Sequence, residues 1–205
     1  MAGRNQLRII GGEWRGRRLK IIDQAGLRPT PDRVRETLFN WLAPVIAGSR
    51  CLDLFAGSGA LGLEAASRGA ARVTLVEKAA AAARQLRDNT ALLQAGDRLE
   101  VVQADALRLL ERPPAVPYDV VFLDPPFGQG WLQHCLPGLA QPGWLAAGAH
   151  IYMEAEQSLT GVALEALLPD GWEIVRGKRT GEVGYHLVSC RPARPGGLQP
   201  PPQAS

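Results

Sequence analysis

The sequence predicts an α/β fold: a seven-stranded, mostly parallel sheet that ends in a C-terminal antiparallel hairpin and is preceded by a small basic β-hairpin. Three observations carry this. From Arg50 onward, short apolar runs alternate with helix-forming segments, the pattern of parallel strands covered on both faces. The last two runs are joined too closely for a crossover, so they pair antiparallel. A chain of 205 residues with 46% hydrophobic content has the material for a single core.

The first segment, 7–22, reads as two short strands around the turn Gly11-Gly12, with arginines clustered on the second. Pro29 and Pro31 bracket Thr30, which is expected to cap a helix over 32–42 with proline at its first position. Val34, Leu38, Trp41 and Leu42 form the apolar stripe of that helix. A strand at 51–55 leads to a helix at 60–67 closed by Gly69, and a strand at 73–77 to an alanine-rich helix at 79–93 ended by Gly96. The third strand, 99–103, precedes a short helix from Asp105, and the fourth, 118–123, runs directly into Asp124-Pro125-Pro126-Phe127. A helix at 131–139, a strand near 150–154 and a helix at 160–168 follow. Strands at 172–176 and 184–189 then flank a turn that holds Lys178 and Arg179. The tail 191–205, with prolines at 192, 195, 200, 201 and 202, has too little apolar content to fold. The division is therefore a basic hairpin or arm at 1–28, a main domain at 29–190 and a disordered tail.

Charge is unevenly spread. Residues 1–41 hold nine Lys/Arg against four acids, and the remainder fourteen against sixteen. A basic arm on a mildly acidic body suits a polyanionic partner. Cys51, Cys135 and Cys190 have no metal-ligand spacing, so neither a disulfide framework nor a metal site is expected. No apolar run approaches membrane-spanning length and no signal-peptide pattern stands at the start, which makes the expected location cytoplasmic.

Two motifs carry chemistry. Gly57-Ser58-Gly59-Ala60-Leu61-Gly62 fits G-x-G-x-x-G, and Glu77 follows Gly57 by twenty positions at the tip of the next strand. Such a loop admits any adenosine-bearing cofactor, with the acid accepting the ribose hydroxyls. Asp53 helps to choose. An acid just before the first glycine repels a pyrophosphate and attracts an α-amino group. Asp105 stands where it can accept from an adenine amino group or cap its helix. With Asp124, these acids fall at the carboxyl ends of four successive strands, where ligands of such sheets gather. The second motif is Asp124 to Phe127. Its prolines fix φ and remove donors, and its carboxylate, proline carbonyl and ring suit a flat amine. Hydrogen acceptance by Asp124 and by the Pro125 carbonyl frees the amine lone pair for in-line attack. Phe127 then stacks on the extruded base. Guanine N2 and adenine N6 satisfy this pattern equally.

At these residues the chain resembles the S-adenosylmethionine-dependent class I methyltransferases, which are Rossmann-like. Within them it resembles the RsmD type, which methylates guanine N2 in 16S ribosomal RNA. The narrowing motifs are Arg8-Ile9-Ile10-Gly11-Gly12 with Trp14-Arg15-Gly16-Arg17, and Arg28-Pro29-Thr30 with Asp32-Arg33-Val34-Arg35-Glu36. The resemblance implies S-adenosyl-L-methionine as cofactor, with Asp53, Gly57, Ser58 and Gly59 at its methionine part, Glu77 at the ribose, and Asp105 with Ala106 at the adenine. It assigns Asp124, Pro125, Pro126 and Phe127 to the base, and sets Arg33 near the methionine carboxylate or the target nucleotide. Arg15, Arg17, Arg18, Lys178 and Arg179 are candidate phosphate contacts. The partner implied is 16S rRNA in a small-subunit particle or assembly intermediate, met by a monomer. Two other readings stay open: an adenine-N6 methyltransferase, and a nucleic-acid-binding protein that keeps the cofactor fold without catalysis.

Overall fold

The computed structural model describes residues 6–22, 30–156, 159, 161–181 and 183–191. Arg28, Pro29, Thr160 and the tail beyond Arg191 lie outside them. Strands β1 (Gln6–Arg8) and β2 (Arg18–Lys20) pair antiparallel, with Leu7 opposite Leu19. Both leucines are buried while their neighbours point outward, so the hairpin has one apolar and one basic face.

Gly11-Gly12 is not the tight turn that the sequence suggested. The connection runs from residue 9 to 17, and the two glycines dock it on the body. Gly12 has φ +74°, and a Cβ there would overlap the Ser67 carbonyl oxygen. The neighbouring groups complete the dock: Glu13 N–H donates to that carbonyl at 2.7 Å, Ser67 Oγ donates to Gly11 O at 2.6 Å and Trp14 N–H donates to Ser67 Oγ at 3.0 Å.

Helix α1 (Asp32–Leu42) buries Val34, Leu38, Phe39 and Leu42, and Trp41 stacks on Tyr185 with centroids 5.7 Å apart. Thr30 does not cap it. The position before the helix is Pro31, and no side chain caps the first turn.

The main sheet contains β3 (Arg50–Asp53), β4 (Arg72–Glu77), β5 (Leu99–Gln103), β6 (Tyr118–Leu123), β7 (Leu145–Glu156), β8 (Trp172–Thr180) and β9 (Val183–Cys190). Its order is β5-β4-β3-β6-β7-β9-β8, parallel from β5 to β7 and antiparallel over the last pairs. The helices are α2 (Gly62–Ser67), α3 (Ala80–Leu92), α4 (Ala106–Leu110), α5 (Trp131–Leu139) and α6 (Val162–Glu165). The elements follow the expected order, with β7 and β8 longer than expected. Lys178 and Arg179 consequently stand on edge strand β8 instead of in a turn.

Strand periodicity divides the core in two. Cys51, Leu75, Phe122, Tyr152 and Leu187 pack on one face with α1, Leu63, Leu86 and the hairpin's Leu7, Ile9 and Leu19. Leu52, Leu123, Met153 and Val188 pack on the other with α4 and α5. All three cysteines are buried and free.

On the first face a buried carboxylate ties three elements together. Glu64 of α2 accepts from Ile10 N–H at 2.9 Å, Arg68 Nε at 2.7 Å and Arg35 of α1 at 3.4 Å. Arg35, 1% exposed, also donates to Arg8 O at 2.9 Å and to Asp32 Oδ1 at 2.5 Å.

Candidate active site

Register sets the depth of each acid. Asp53 pairs with Leu75 on β4 and with Phe122 on β6. Glu77 and Asp124 each lie two residues further along their strands, about 7 Å higher at the rise of an extended chain. Period two keeps all three on the face that carries α1 and the hairpin. The result is a cup at the carboxyl ends of adjacent strands, with Asp53 at its floor and Glu77 and Asp124 on its rim.

Each acid is held differently. Asp53 is buried and accepts from Gly62 N–H at 2.9 Å, which braces the loop between β3 and α2. Burial pushes its carboxyl up to about 7, and the charges of Asp124 and Glu77 add to the rise. Glu77 accepts from Gly57 N–H at 2.9 Å and from Ala79 N–H at 2.7 Å, fixing the first glycine of the loop over the rim. Asp105 caps α4 by accepting from Leu107 N–H at 3.0 Å and pairs with Lys78 at 3.0 Å. The Lys78 hydrogen bond holds its carboxyl below the usual range. A cap of this kind and an adenine contact can coexist on one carboxylate. Gly59, with φ +80°, leaves no room for a side chain, because a Cβ would stand 2.7 Å from Leu63 and Leu86. Ser58 lies between the two glycines and Ala106 opens α4.

Asp124 stands one residue past the end of β6, partly buried, and Thr30 Oγ1 donates to its Oδ2 at 3.1 Å. This is what Thr30 does instead of capping α1. Pro125 is buried and Pro126 exposed, while Phe127 is 46% exposed. The loop is tied down by Gly128 N–H, which donates to Glu156 Oε1 at 3.0 Å. A pocket beside it is lined by Pro125, Pro126, Phe127, Trp131, Glu154 and Leu159. Phe55 meets Trp131 edge to face with centroids 5.3 Å apart.

Two further groups belong to this rim and were not assigned to it from the sequence. Glu154, on β7, is buried one register step past the Leu123–Met153 pair and so stands beside Asp124, and Tyr152 OH donates to its Oε1 at 2.7 Å. Burial pushes Asp124 up to about 6, and burial with the Asp124 charge pushes Glu154 up to about 8. The available signal was a fifth acid near a strand end. Thr30 gave none, since its partner is 94 positions away.

The basic residues are not gathered at one place. Lys178 and Arg179 lie near the end of β8 level with the rim, and Arg33 is exposed in the first turn of α1, three residues past Thr30. Arg15 and Arg17, on the loop docked at the opposite edge of the sheet, and Arg18, which opens β2, are exposed too. Arg17 donates to Leu92 O, the last residue of α3, at 3.0 Å. Glu13 pairs with Arg98, just before β5, at 2.6 Å. Between that edge and the rim runs the length of a six-residue strand, roughly 20 Å.

The donor set suits one kind of ligand. A pyrophosphate in the cup would face Asp53, Glu77 and Asp124. A cation with ribose hydroxyls would relieve the buried carboxyl at the floor and meet acceptors at the rim. S-adenosylmethionine fits that description, and a nicotinamide dinucleotide does not. Among the described residues no cluster of His, Cys, Asp and Glu can hold a metal ion, and no helix is long and apolar enough to cross a membrane.

Comparison with known proteins agrees. Residues 7–189 match the model of the family described as conserved hypothetical protein 95. The ribosomal RNA small subunit methyltransferase D of Escherichia coli (strain K12) is 50% identical over 186 residues, which cover 91% of each chain. That of Haemophilus influenzae is 44% identical, over 90% of this chain and 94% of the relative. Among solved structures, the Escherichia coli protein yhhF superposes with a TM-score of 0.82 at 47% identity, covering 91% of this chain and 98% of that one. An RNA methyltransferase from Salinibacter ruber, solved with S-adenosyl-L-homocysteine, shares the fold at a TM-score of 0.60 and 18% identity, over 84% of this chain and all of that one.

Proposed function

The chain belongs to the conserved hypothetical protein 95 family, and from its 50% identity to the ribosomal RNA small subunit methyltransferase D of Escherichia coli we propose that it transfers a methyl group from S-adenosyl-L-methionine to the exocyclic N2 of a guanine in 16S ribosomal RNA. The observation that carries the reading is the rim itself. Asp124, at the end of β6, stands on the rim of the cup with Asp53 and Glu77, and Pro125, Pro126 and Phe127 follow it directly, lining a pocket of their own.

In this reading Asp53, Gly57, Ser58 and Gly59 hold the methionine part of the cofactor. Glu77 accepts from the ribose hydroxyls, and Asp105 with Ala106 borders the adenine. S-adenosylmethionine supplies a methyl group on a sulfonium whose departure needs no acid. The remaining work is positioning. Asp124 and the Pro125 carbonyl accept the two amine hydrogens, which turns the nitrogen lone pair out of conjugation. The methylated amine is acidic, and Asp124 takes its proton. Phe127 stacks on the base after extrusion, worth about 1–3 kcal/mol.

Arg33 is exposed three residues past Thr30, and Lys178 and Arg179 stand on β8 at the level of Glu154. Arg15, Arg17 and Arg18 extend the basic surface along the same face, so a structured RNA some 20 Å across would meet both sets. The arm 1–28 thus tracks RNA for the catalytic body 29–190, and the tail 191–205 has no role in the reading. The substrate is 16S rRNA within a small-subunit particle or assembly intermediate, met by a cytoplasmic monomer.

The test is transfer of a labelled methyl group to small-subunit particles from a strain lacking the protein, followed by nucleoside analysis. Label in N2-methylguanosine supports the proposal, and label in N6-methyladenosine or no incorporation defeats it. Asp124→Ala is expected to abolish incorporation while S-adenosylhomocysteine affinity stays within a few-fold. Unchanged turnover in that variant removes Asp124 from the mechanism.

A further inference from the structure

The hairpin and α3 carry cations to which the methyl-transfer reading gives no task. β1 meets α1, where Arg8 Nη2 donates to Asp32 Oδ2 at 2.7 Å and Arg35 donates to Arg8 O at 2.9 Å. β2 meets α3, where Asn89 donates to Lys20 O at 2.9 Å and Arg17 donates to Leu92 O at 3.0 Å. Between them Ile10 N–H reaches Glu64 of α2 at 2.9 Å. The hairpin thus lies over α2 and joins α1 to α3 in one outer layer.

The outward side of that layer is basic. Alternation along the hairpin buries Leu7 and Leu19 and turns Gln6, Arg8, Arg18 and Lys20 outward, with Arg8 directly opposite Arg18. Helix α3 buries Ala82, Ala83, Leu86 and Asn89 and leaves Arg84 and Arg87 exposed among the exposed, small Ala81 and Ala91. Like charges directly opposite on two strands, or three apart on a helix, repel. Among the described residues, Arg8 is the one cation of these five that is ion-paired to an acid, and Asp88 is the one acid in α3. A layer that keeps such repulsion suits a polyanion.

Two features choose the form of the polyanion. Helix α3 starts beside Glu77 on the rim, where Ala79 N–H donates to Glu77 Oε1, and ends against the hairpin. Its 13 residues run about 20 Å, so Arg84 and Arg87 stand in the interval between the rim and the loop of Arg15 and Arg17. The basic surface is therefore continuous. It also exposes no ring: among the described residues Phe127, on the loop after β6, is the one exposed aromatic side chain. Surfaces for single strands stack bases on exposed rings, whereas a duplex is met through its phosphates and 2′-hydroxyls.

We propose that the outer layer of the hairpin and α3 binds the backbone of a double-helical RNA segment, with Arg18, Lys20, Arg84 and Arg87 as its phosphate contacts. The proposal rests on the methyl-transfer reading, from which it takes RNA as the partner.

The experiment titrates the full-length protein, without methyl donor, into a fluorescent RNA duplex of about 20 base pairs and into an oligouridylate of about the same length, from about 50 to 200 mM salt. The duplex is expected to bind at least about tenfold more tightly. Arg84→Glu with Arg87→Glu should weaken duplex binding about tenfold or more and lower the salt slope by about two units, and Lys20→Glu should lower it by about one. Arg108→Glu with Arg112→Glu is the control. It makes the same change in net charge beside α4, which packs on the opposite face of the sheet, and should leave the slope within about half a unit.

Equal or tighter binding of the oligouridylate, an unaltered slope in the α3 variant, or a control that loses as much as the α3 variant overturns the proposal. Thermal melting checks that each variant is folded, and should the α3 reversal not fold, Arg84→Ala with Arg87→Ala decides by the same slope. Binding is read without turnover, so the two readings fail separately. Label in N2-methylguanosine beside an unaltered α3 slope defeats the surface alone. Absence of label beside a lowered α3 slope defeats the methyl-transfer reading and leaves the surface standing.

Discussion

Phe127 lies half exposed beside the pocket, where part of the ring is left uncovered by its own chain. If it stacks on the target base, Phe127→Ala should lower kcat/KM for particles by about 10- to 100-fold. Calorimetry with S-adenosylhomocysteine should find cofactor affinity unchanged, and a kcat/KM within twofold would make the ring a bystander. Thr30→Val removes the hydroxyl that donates to Asp124 and so makes its ionised form less favourable. The acid limb of the rate profile should shift upward by a few tenths of a pH unit or more. A limb that does not move would show that the hydroxyl does not act on the carboxylate. At this scale the sequence was legible in the placement of residues within one local pattern, as for Asp124 at the strand end before two prolines. It misled on Thr30, read as a helix cap, and passed over Glu154, because the contacts of both exist only where distant segments meet.

The hairpin is the element that the structure most revised. Its apolar residues enter the same core as α1, and the dock of Gly12 on the end of α2 places Arg15 and Arg17 at the edge of the sheet opposite Asp124. Lys178 and Arg179, expected in a turn, extend β8 at the rim. The two basic sets can therefore be tested separately. Reversing the charges of Lys178 and Arg179 should weaken RNA binding and flatten its salt dependence by about one unit of slope for each phosphate that is no longer neutralised. Reversing Arg15 and Arg18 should do the same if the RNA runs along the whole face. An unaltered slope for the second pair confines the footprint to the rim. Strand and helix order could be read from apolar periodicity. The hairpin's dock could not, because Gly11-Gly12 reads equally as a turn and as a surface that another backbone approaches.

Over the whole molecule, the site carries a cost that pH should expose. Asp53, Asp124 and Glu154 are all raised, to about 7, 6 and 8. Between their unfolded values near pH 4 and these values the folded chain binds more protons than the unfolded one, so stability falls as pH rises. The depressed carboxyls Glu13, Asp32 and Asp105 act in the opposite sense, complete by about pH 5, and His150 and His186, held below their usual value by burial, offset part of the fall up to about pH 7. The free protein should therefore melt lower at pH 8 than at pH 5, by about 5 °C or more. S-adenosylmethionine should narrow the gap by offering the floor a cation. A flat melting profile from pH 5 to 8 would contradict the burial of these acids.

Local chemistry in the sequence determined the alternation of strands and helices, the acids at four strand ends and the stiff Asp-Pro-Pro-Phe loop, because periodicity, glycine spacing and proline stiffness act within a few residues. Only tertiary structure decided the depth of Asp53, the meeting of Asp124 with Glu154 and Thr30, and which arginines stand near the reaction. Those depend on strand register and on where the hairpin docks, and neither is encoded within any one segment.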